Sequence, residues 1–343
     1  MNTNDTSKFA FVAIVFVLLA SYPFVSGNFG IDLVSKIMVY AIFALSLELL
    51  VGGTGLVCFG HAAFFGIGAY VAVLLSPQDN PASIAWLLPL AVLAAALYAL
   101  FVGALSLRTK GVYFIMVTLA FAQMAYFVVH DTPLGGGTDG IYLTMKPTLG
   151  AVLDLGGPLE MYYFTLVCLV VVFCFLAVLL RSQFGRALAG VRVNEQRMRA
   201  TGFSTYPYKL AAFTISGAIA GLAGFLFAVK DGFVNPEMMS WHLSGAVLVM
   251  IILGGLGHLR GALVGAFAFA LLQEVFKSEA IFGAFAKHWN LGLGVVIIAS
   301  VAFLPHGLVG LPAQLRARLA GGLVGRPAGG GGSANKEVLD DVN

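Results

Sequence analysis

The sequence predicts an all-α, polytopic membrane protein with about ten transmembrane helices, a helix break after the second span and both termini in the cytoplasm. Three observations lead to this class. Of the 343 residues, 59% are hydrophobic and only 10% are charged, whereas a soluble domain carries roughly 25% charged residues. The apolar residues form blocks near the ~20 residues that a helix needs to cross a ~30 Å hydrocarbon core. Lysine and arginine also concentrate in alternate connecting segments.

Ten apolar segments are predicted to cross the membrane, and the third, eighth and ninth of them are short. The first segment follows Lys8 in the manner of a secretory signal, but no A-x-A cleavage site comes after it, so we expect a retained span. The ten segments are residues 9–25, 33–51, 61–75, 84–107, 112–130, 160–180, 208–229, 243–256, 261–276 and 289–305.

The distribution of positive charge sets the predicted orientation. With the N-terminus in the cytoplasm, fourteen of the 19 lysines and arginines lie inside, and the opposite orientation would leave five there. Because cytoplasmic segments carry the excess of positive charge, both termini are expected inside, which fits an even number of spans. The five outside cations are then Lys36, Lys146, Lys230, Lys277 and Lys287.

The chain divides into three predicted parts. Residues 1–32 hold the first span and an outer turn, residues 33–312 form the transmembrane core, and residues 313–343 form a cytoplasmic tail. The tail is rich in glycine and then acidic, a composition that cannot bury a core, so we expect it to be disordered. The longest cytoplasmic loop, residues 181–207, lies within the core part.

A glycine-rich stretch, Gly52-Gly53-Thr54-Gly55, is expected to break the helix at the end of the second span. Irregular backbone at membrane depth is tolerated only where protein or a water-filled cavity satisfies its polar groups, so we expect a cavity beside it. A similar stretch, ILGGLG at residues 252–257, echoes LVGGTG at residues 50–55. The echo indicates either two halves related as parallel repeats or a chance recurrence in a glycine-rich chain.

Four polar residues at membrane depth are candidates for the lining of a transport pathway. Glu48 is the sharpest, because a carboxylate within a span costs roughly 2.5–3.5 kcal/mol on insertion scales and normally faces the bundle interior. His61, Thr118 and Gln123 complete the set. Each has a structural alternative: His61 as a buried hydrogen-bonded group, either alone or with Glu48, and the other two as helix–helix hydrogen-bonding groups.

No pattern in the sequence indicates catalysis, a metal site or a cofactor. There is no phosphate-binding G-x-x-x-x-G-K-[ST] loop, no H-E-x-x-H, no G-x-S-x-G and no C-x-x-C. The three cysteines suggest neither a disulfide framework nor a metal site, and a net charge of +3 is too small to indicate nucleic acid. Transport is therefore favoured over enzymatic activity, and any ATP hydrolysis would belong to another polypeptide.

The cytoplasmic loop predicts a short amphipathic helix over residues 188–201. Val191, Glu195 and Met198 fall at helical spacing, with arginines around the other side, and Gly202 would end the helix in the usual position. Such a helix either lies on the membrane with its arginines on lipid phosphates or acts as a lever docked in a cytoplasmic partner.

Several long motifs, in the same order, resemble the LivM-type permease subunits of branched-chain amino acid ABC importers over residues 35–312. The motifs are GHAAFFGIGAY at 60–70, GVYFIMVTLAFAQ at 111–123, LGGGTDGI at 134–141, FGRALAGVRVNEQRMRATG at 184–202, YKLAAFTISGAIAGLAGFLFA at 208–228 and ILGGLGHLRGALVGA at 252–266.

The resemblance implies an all-helical permease in the bacterial inner membrane, in contact with membrane lipid and without nucleic acid. It implies a second permease subunit of the LivH type, two cytoplasmic ATPase subunits and a periplasmic substrate-binding protein as partners. Glu195, Ala200 and Gly202 match the E-x-x-x-x-A-x-G part of the loop that contacts the ATPase, and Arg192 belongs to the same segment. The resemblance therefore favours the lever over the lipid-bound helix.

In the outer loop, Thr138 and Asp139 follow three glycines. They are expected either to shape the outer gate or meet the binding protein, or to form an ordinary turn, since Gly and Asp are turn residues.

The chain also departs from the family pattern near the break. The family commonly has Asn where Glu48 stands, and Gln and Ser where Leu56 and Cys58 stand. The expected substrate is a branched-chain or other small amino acid, with urea or short amides as alternatives inside the family. An ion-coupled secondary transporter that uses Glu48, and an integral-membrane enzyme, are the alternatives outside it.

Overall fold

The computed structural model describes residues 14–77, 80–149, 153–278, 282–304 and 307–310 of the chain. Within these ranges, the principal helices are numbered α1 to α12. They are α1 (Ile14–Phe24), α2 (Asn28–Thr54), α3 (His61–Leu74), α4 (Ile84–Ser106), α5 (Val112–Asp131), α6 (Pro158–Arg181), α7 (Gln183–Val193), α8 (Glu195–Ala200), α9 (Thr205–Asp231), α10 (Trp241–Gly254), α11 (Leu259–Lys277) and α12 (Trp289–Phe303). The predicted tail, residues 313–343, lies outside the described residues.

Seven helices of the described part are long and apolar enough to cross a membrane. They are α2, α4, α5, α6, α9, α11 and the last span, Ala286–Phe303, which includes α12. Three shorter apolar helices, α1, α3 and α10, coincide with the first, third and eighth predicted spans. The protein is thus an all-α, polytopic membrane protein.

The centre of the bundle is formed by α2 and α9. Within the apolar 18-residue stretch of each helix, 89% of the residues of α2 and 78% of those of α9 are buried inside the protein. Small residues let the helices approach closely, as is usual in membranes where packing drives helix association. A side-chain carbon added at Gly224 of α9 would overlap the backbone of Phe65 in α3, and one added at Gly68 of α3 would overlap the backbone of Gly221. The glycines are therefore part of the α3–α9 contact itself.

The periphery of the bundle is formed by helices that leave much apolar surface uncovered. In the apolar 18-residue stretch of α5, 17% of the residues are buried, and in that of the last span only 11% are buried. Their exposed large side chains include Met116, Met124 and Phe127 on α5. Such surface faces lipid or another membrane subunit, since water would not favour it.

The helix end after the second span differs from the expectation. Residues 52–54 stay helical, and the chain leaves the helix at Gly55, whose φ of +77° lies in the left-handed region that favours glycine. Gly52 is needed for packing rather than for a break, because a side-chain carbon there would overlap the Glu48 carboxylate and lie 3.2 Å from Gly257 Cα. The chain becomes helical again at His61.

The cytoplasmic loop contains two helices instead of the single helix predicted over residues 188–201. Asn194 has extended backbone (φ −160°, ψ 98°) and separates α7 from α8. Its side-chain oxygen accepts a hydrogen bond from the Arg197 N–H at 2.9 Å, a typical helix N-cap. Helical periodicity alone does not show this interruption, because the apolar spacing continues across Asn194.

The opposite end of the bundle carries four strands of two residues each. β1 (Ile141–Tyr142) pairs antiparallel with β4 (Phe233–Val234), and β2 (Thr148–Leu149) pairs antiparallel with β3 (Leu153–Asp154). The β1–β4 pair joins the loop after α5 to the chain just after α9. These strands stand outside the all-α expectation, and they order the predicted outer loop.

Candidate functional site

A cavity of about 550 Å³ opens at the end of the bundle that carries α7 and α8, the predicted cytoplasmic end. It lies between the last turns of α2 and α6, the helix α7 and the start of α11. The lining residues are Glu48, Gly52, Gly53, Leu180, Gly185, Ala189, Arg192, Val193, Gly257 and Leu259. The two echoing glycine stretches, at residues 50–55 and 252–257, therefore meet at one cavity.

Glu48 lines this cavity while being only 2% exposed. Its Oε1 accepts a hydrogen bond from the Gly257 N–H at 2.6 Å. Its Oε2 is buried and has no hydrogen-bond partner among the described residues. Glu48 and His61 do not form a pair in the structure. Glu48 Oε1 accepts from Gly257, His61 Nε2 lies beside Ser46 Oγ, and the remaining polar atom of each side chain has no hydrogen-bond partner among the described residues.

His61 lies in the protein core between α2 and α3, with no exposed surface. Its Nε2 is 2.7 Å from Ser46 Oγ, and its ring stacks on Phe43 at a centroid distance of 5.3 Å. Its Nδ1 has no hydrogen-bond partner among the described residues. The arrangement is that of a buried hydrogen-bonded group, which is the structural alternative for this residue.

Arg192 joins α7 to the end of α2. Its Nη1 donates to the carbonyl oxygen of Gly52 at 2.5 Å. Carbonyl groups in the last turn of a helix have no partner within the helix and carry partial negative charge, so a guanidinium there is stabilising. Arg192 thus connects the predicted coupling segment directly to a central helix, and shares a cavity with Glu48.

Glu195, the first residue of α8, connects that helix to α9. Its Oε1 accepts from Arg199 Nη2 at 2.6 Å, from Lys209 Nζ at 2.9 Å and from Thr205 Oγ1 at 3.0 Å. Partial burial acts to raise the pKa of Glu195, but Lys209, Thr205 and Arg199 outweigh it and hold the pKa below its ordinary value. The carboxylate is therefore ionised near neutral pH and holds α8 against α9.

Ala200 and Gly202 form the end of α8, and both are exposed. The Gly202 N–H donates to Arg199 O, and the Phe203 N–H donates to Met198 O. Gly202 has a φ of +81°, so the expected glycine termination of this segment is present. The end of α8 is left as a free surface in the isolated chain.

Thr118 and Gln123 lie on α5 in different surroundings. Thr118 is buried and donates to Ile115 O at 2.9 Å within its own helix. Gln123 is half-buried and lines a shallow, mainly apolar groove with Ala120, Met124, Phe127 and Val128. The two residues are therefore not brought together with Glu48, and they share only a helix.

Thr138 and Asp139 lie in a short 3-10 turn, Gly137–Asp139, at the end of the bundle opposite to α7. Both are exposed to solvent, and Thr138 Oγ1 donates to Asp139 Oδ1 at 3.4 Å. Three glycines nearby have positive φ, which a side chain would strain. The geometry is that of a turn with two polar side chains available on its surface.

Sequence reasoning missed Lys209, which completes the surroundings of Glu195. Lys209 is only 4% exposed and serves as the counter-charge of Glu195. A lysine at the first turn of a span was the available signal, but nothing in the sequence paired it with residue 195. Among the described residues, no group of three or more His, Cys, Asp or Glu side chains could hold a metal ion.

Comparison with known proteins assigns the chain to one family of membrane permeases. The family model described as "Branched-chain amino acid transport system / permease component" matches residues 29–301. The high-affinity branched-chain amino acid transport system permease protein LivM of Escherichia coli (strain K12) is 32% identical over 323 residues, covering 87% of this chain and 74% of that protein.

Two further relatives match less of the chain or at lower identity. A probable branched-chain amino acid transport permease protein LivM of Methanocaldococcus jannaschii is 23% identical over 82% of this chain and 94% of that protein. The autoinducer 2 import system permease protein LsrC of Escherichia coli O9:H4 is 30% identical over 39% of this chain and 40% of that protein. With a family match over most of its length, this chain belongs to the permease components of branched-chain amino acid ABC importers, which are transport subunits and not enzymes.

Proposed function

We propose that this chain moves a branched-chain or other small amino acid inward across the bacterial inner membrane. It does so with a LivH-type permease subunit, two cytoplasmic ATPase subunits and a periplasmic binding protein. About ten spans, including the short α1, α3 and α10, place both termini in the cytoplasm, as the positive charges favour. The observation that carries the proposal is the double attachment of the segment α7–α8, through Arg192 to α2 and through Glu195 to α9.

The segment α7–α8 acts as the coupling element. When the ATPase subunits close on ATP they displace this segment, and its two attachments pass the movement to α2 and α9. These are the central helices, so their displacement alters the whole bundle as a rigid-body rearrangement. Ala200 and Gly202 at the end of α8 contribute exposed surface for the ATPase.

The pathway runs past polar groups at membrane depth. Glu48 at the cytoplasmic cavity and Thr118 and Gln123 on α5 are separate candidates for its lining. His61 holds α2 and α3 together beside it. Thr138 and Asp139 stand at the outer end, where the binding protein would deliver the substrate.

The proposal is tested by reconstitution. A tag on this chain should co-purify a second permease subunit and two ATPase subunits. Proteoliposomes of that complex should accumulate radiolabelled leucine when given the binding protein and internal ATP. The Glu195→Lys variant should abolish uptake while remaining in the membrane, because it places a third cation beside Arg199 and Lys209.

The matched control is Glu160→Lys, the same charge reversal at an exposed position at the other end of the bundle. It should leave uptake close to the wild-type rate. Normal uptake by Glu195→Lys would remove the coupling role, and leucine accumulation by the isolated chain without ATPase subunits would remove the proposed function.

A further inference from the structure

Two side chains of opposite charge, Glu48 and Arg192, line the cavity at the predicted cytoplasmic end. They lie on different elements, α2 and α7, and no hydrogen bond or ion pair joins the two side chains among the described residues. A cavity of about 550 Å³ is in the size range of small-molecule sites in proteins. The pair of charges indicates what kind of small molecule would fit.

Glu48 has an unused acceptor. Gly257 supplies one N–H to Oε1, while the buried Oε2 has no partner among the described residues. A buried carboxylate oxygen without a partner is costly, and a cationic donor is the partner that would stabilise it most. Oε2 has almost no exposed surface as it stands, so the ammonium group of a small molecule would bind it once the side chain turns toward the cavity.

Arg192 has unused donors. Its Nη1 donates to Gly52 O, and no other hydrogen bond of this guanidinium is seen among the described residues. A guanidinium presents five N–H donors in a planar fork that matches a carboxylate. The carboxylate of a small molecule could therefore bind Arg192 from the cavity side.

The rest of the lining is apolar. Leu180, Val193 and Leu259 form walls of the cavity. An aliphatic side chain would be buried against these walls and stabilised by the hydrophobic effect. The cavity combines one acceptor for an ammonium, one donor for a carboxylate and an apolar wall.

We propose that this cavity binds a zwitterionic aliphatic amino acid from the cytoplasmic side, with its ammonium on Glu48 and its carboxylate on Arg192. The inference rests on the proposed function for the orientation of the cavity. The ligand carboxylate would compete with Gly52 O for the Arg192 guanidinium and so weaken the attachment of α7 to α2. Cytoplasmic amino acid would in this way slow further import.

The test is equilibrium binding of radiolabelled leucine to the purified importer complex in nanodiscs, without the binding protein. Leucine should bind, and unlabelled leucine should compete. Two analogues should compete at least about tenfold more weakly, because each lacks one charge that the site recognises. They are 4-methyl-2-oxopentanoate, which lacks the ammonium, and 3-methylbutylamine, which lacks the carboxylate.

Variants assign the site. Glu48→Gln keeps an acceptor for the Gly257 N–H but loses the charge, and Arg192→Gln loses the guanidinium. Each should weaken leucine binding at least about tenfold. The control Arg197→Gln removes the same charge from an exposed position on α8 outside the cavity and should bind leucine as the wild type does.

The same preparation gives a functional readout. Leucine enclosed with ATP in proteoliposomes should lower the initial rate of leucine uptake, and Glu48→Gln should relieve this inhibition. Equal competition by leucine and both analogues, or no binding by a wild-type complex that still imports leucine, would overturn the inference alone. A complex that imports no amino acid under any condition would instead overturn the proposed function on which the inference rests.

Discussion

Single carboxylates join elements that are distant in the chain. Glu48 accepts from the backbone of Gly257, 209 residues away, and Glu195 binds Lys209 at the start of α9. The two differ in their surroundings, since Glu48 has one donor and a free oxygen, whereas Glu195 has three donors on the same oxygen. Glu195 is therefore suited to hold a fixed geometry, and Glu48 is suited to take up a further partner.

The lowered pKa of Glu195 gives a pH prediction. Because its pKa in the folded protein lies below the ordinary value of ~4.3, the ionised carboxylate contributes stability above that value, and this contribution is lost as the pH falls through the lowered pKa. We expect Glu195→Gln to melt several degrees below the wild type at pH 7. The difference should shrink as the pH is lowered below about 4.

Thermal unfolding of the purified complex, followed at pH 7 and at successively lower pH, measures this difference. Glu160→Gln, which neutralises an exposed carboxylate at the other end of the bundle, is the control and should melt with the wild type. A difference that stayed constant across the range would mean that the charge of residue 195 does not hold α8 to α9.

Among the helices, the contact of α9 with α3 and α4 organises the bundle. Gly217 and Gly221 on α9 face Ala99 and Ala95 on α4, and Gly224 faces the backbone of α3. These glycines repeat at helical spacing, so α9 approaches its neighbours closely at three successive turns. Close approach then supplies dispersion contacts that lipid cannot offer to the same extent.

This packing predicts a stability change. Gly224→Ala should destabilise the protein by about 1–3 kcal/mol, because the added methyl group would overlap the Phe65 carbonyl and force the backbones apart. Gly245→Ala on α10 is the matched control, since a side-chain carbon there meets nothing within 4 Å. The measurement is the melting temperature of each purified variant, which should be lower for Gly224→Ala than for Gly245→Ala. Equal melting temperatures would contradict close packing at residue 224.

The molecule as a whole exposes more apolar surface on some helices than on others. α5 is largely uncovered in the isolated chain, and it carries the half-buried Gln123 on an otherwise apolar groove. A polar amide directed at lipid is unfavourable, so this face is expected to meet the second permease subunit or the pathway. On the proposed function, the isolated chain is then one half of the transporting unit.

Gln123→Leu tests the position of this face. We expect leucine uptake to fall at least severalfold with normal membrane insertion, because the substitution removes a polar group from the pathway or subunit contact. Met124→Leu, a volume-conserving change at the neighbouring exposed position, should leave uptake unchanged. Unchanged uptake together with a higher melting temperature for Gln123→Leu would indicate instead that this face of α5 contacts lipid.

Most helices were predictable from sequence because hydropathy and length are local properties. The predicted spans 84–107 and 112–130 agree closely with α4 and α5. Where prediction was wrong, a local interaction intervened. Asn194 has extended backbone and caps α8, which divides the cytoplasmic helix in two, and residues 52–54 stay helical where Gly52 packs close to Gly257.

The candidate residues were recognisable one at a time, but their relations were not. Glu48 was conspicuous as a carboxylate in a span, and Arg192 lay in a recognisable loop motif. Sequence spacing gave no indication that the two would line one cavity. It left open whether His61 pairs with Glu48, and in the structure His61 has Ser46 beside it.

The amino-acid sequence by itself determined that this chain lies in a membrane as a bundle of helices, since transfer of apolar segments into lipid depends only on local composition and length. It also determined the family through the order of its motifs. Only the tertiary structure decided which polar groups meet, because hydrogen bonds such as Glu48–Gly257 and Glu195–Lys209 depend on how helices approach in space. That approach is set by the glycine contacts of the central helices, a property of the packed bundle rather than of any one segment.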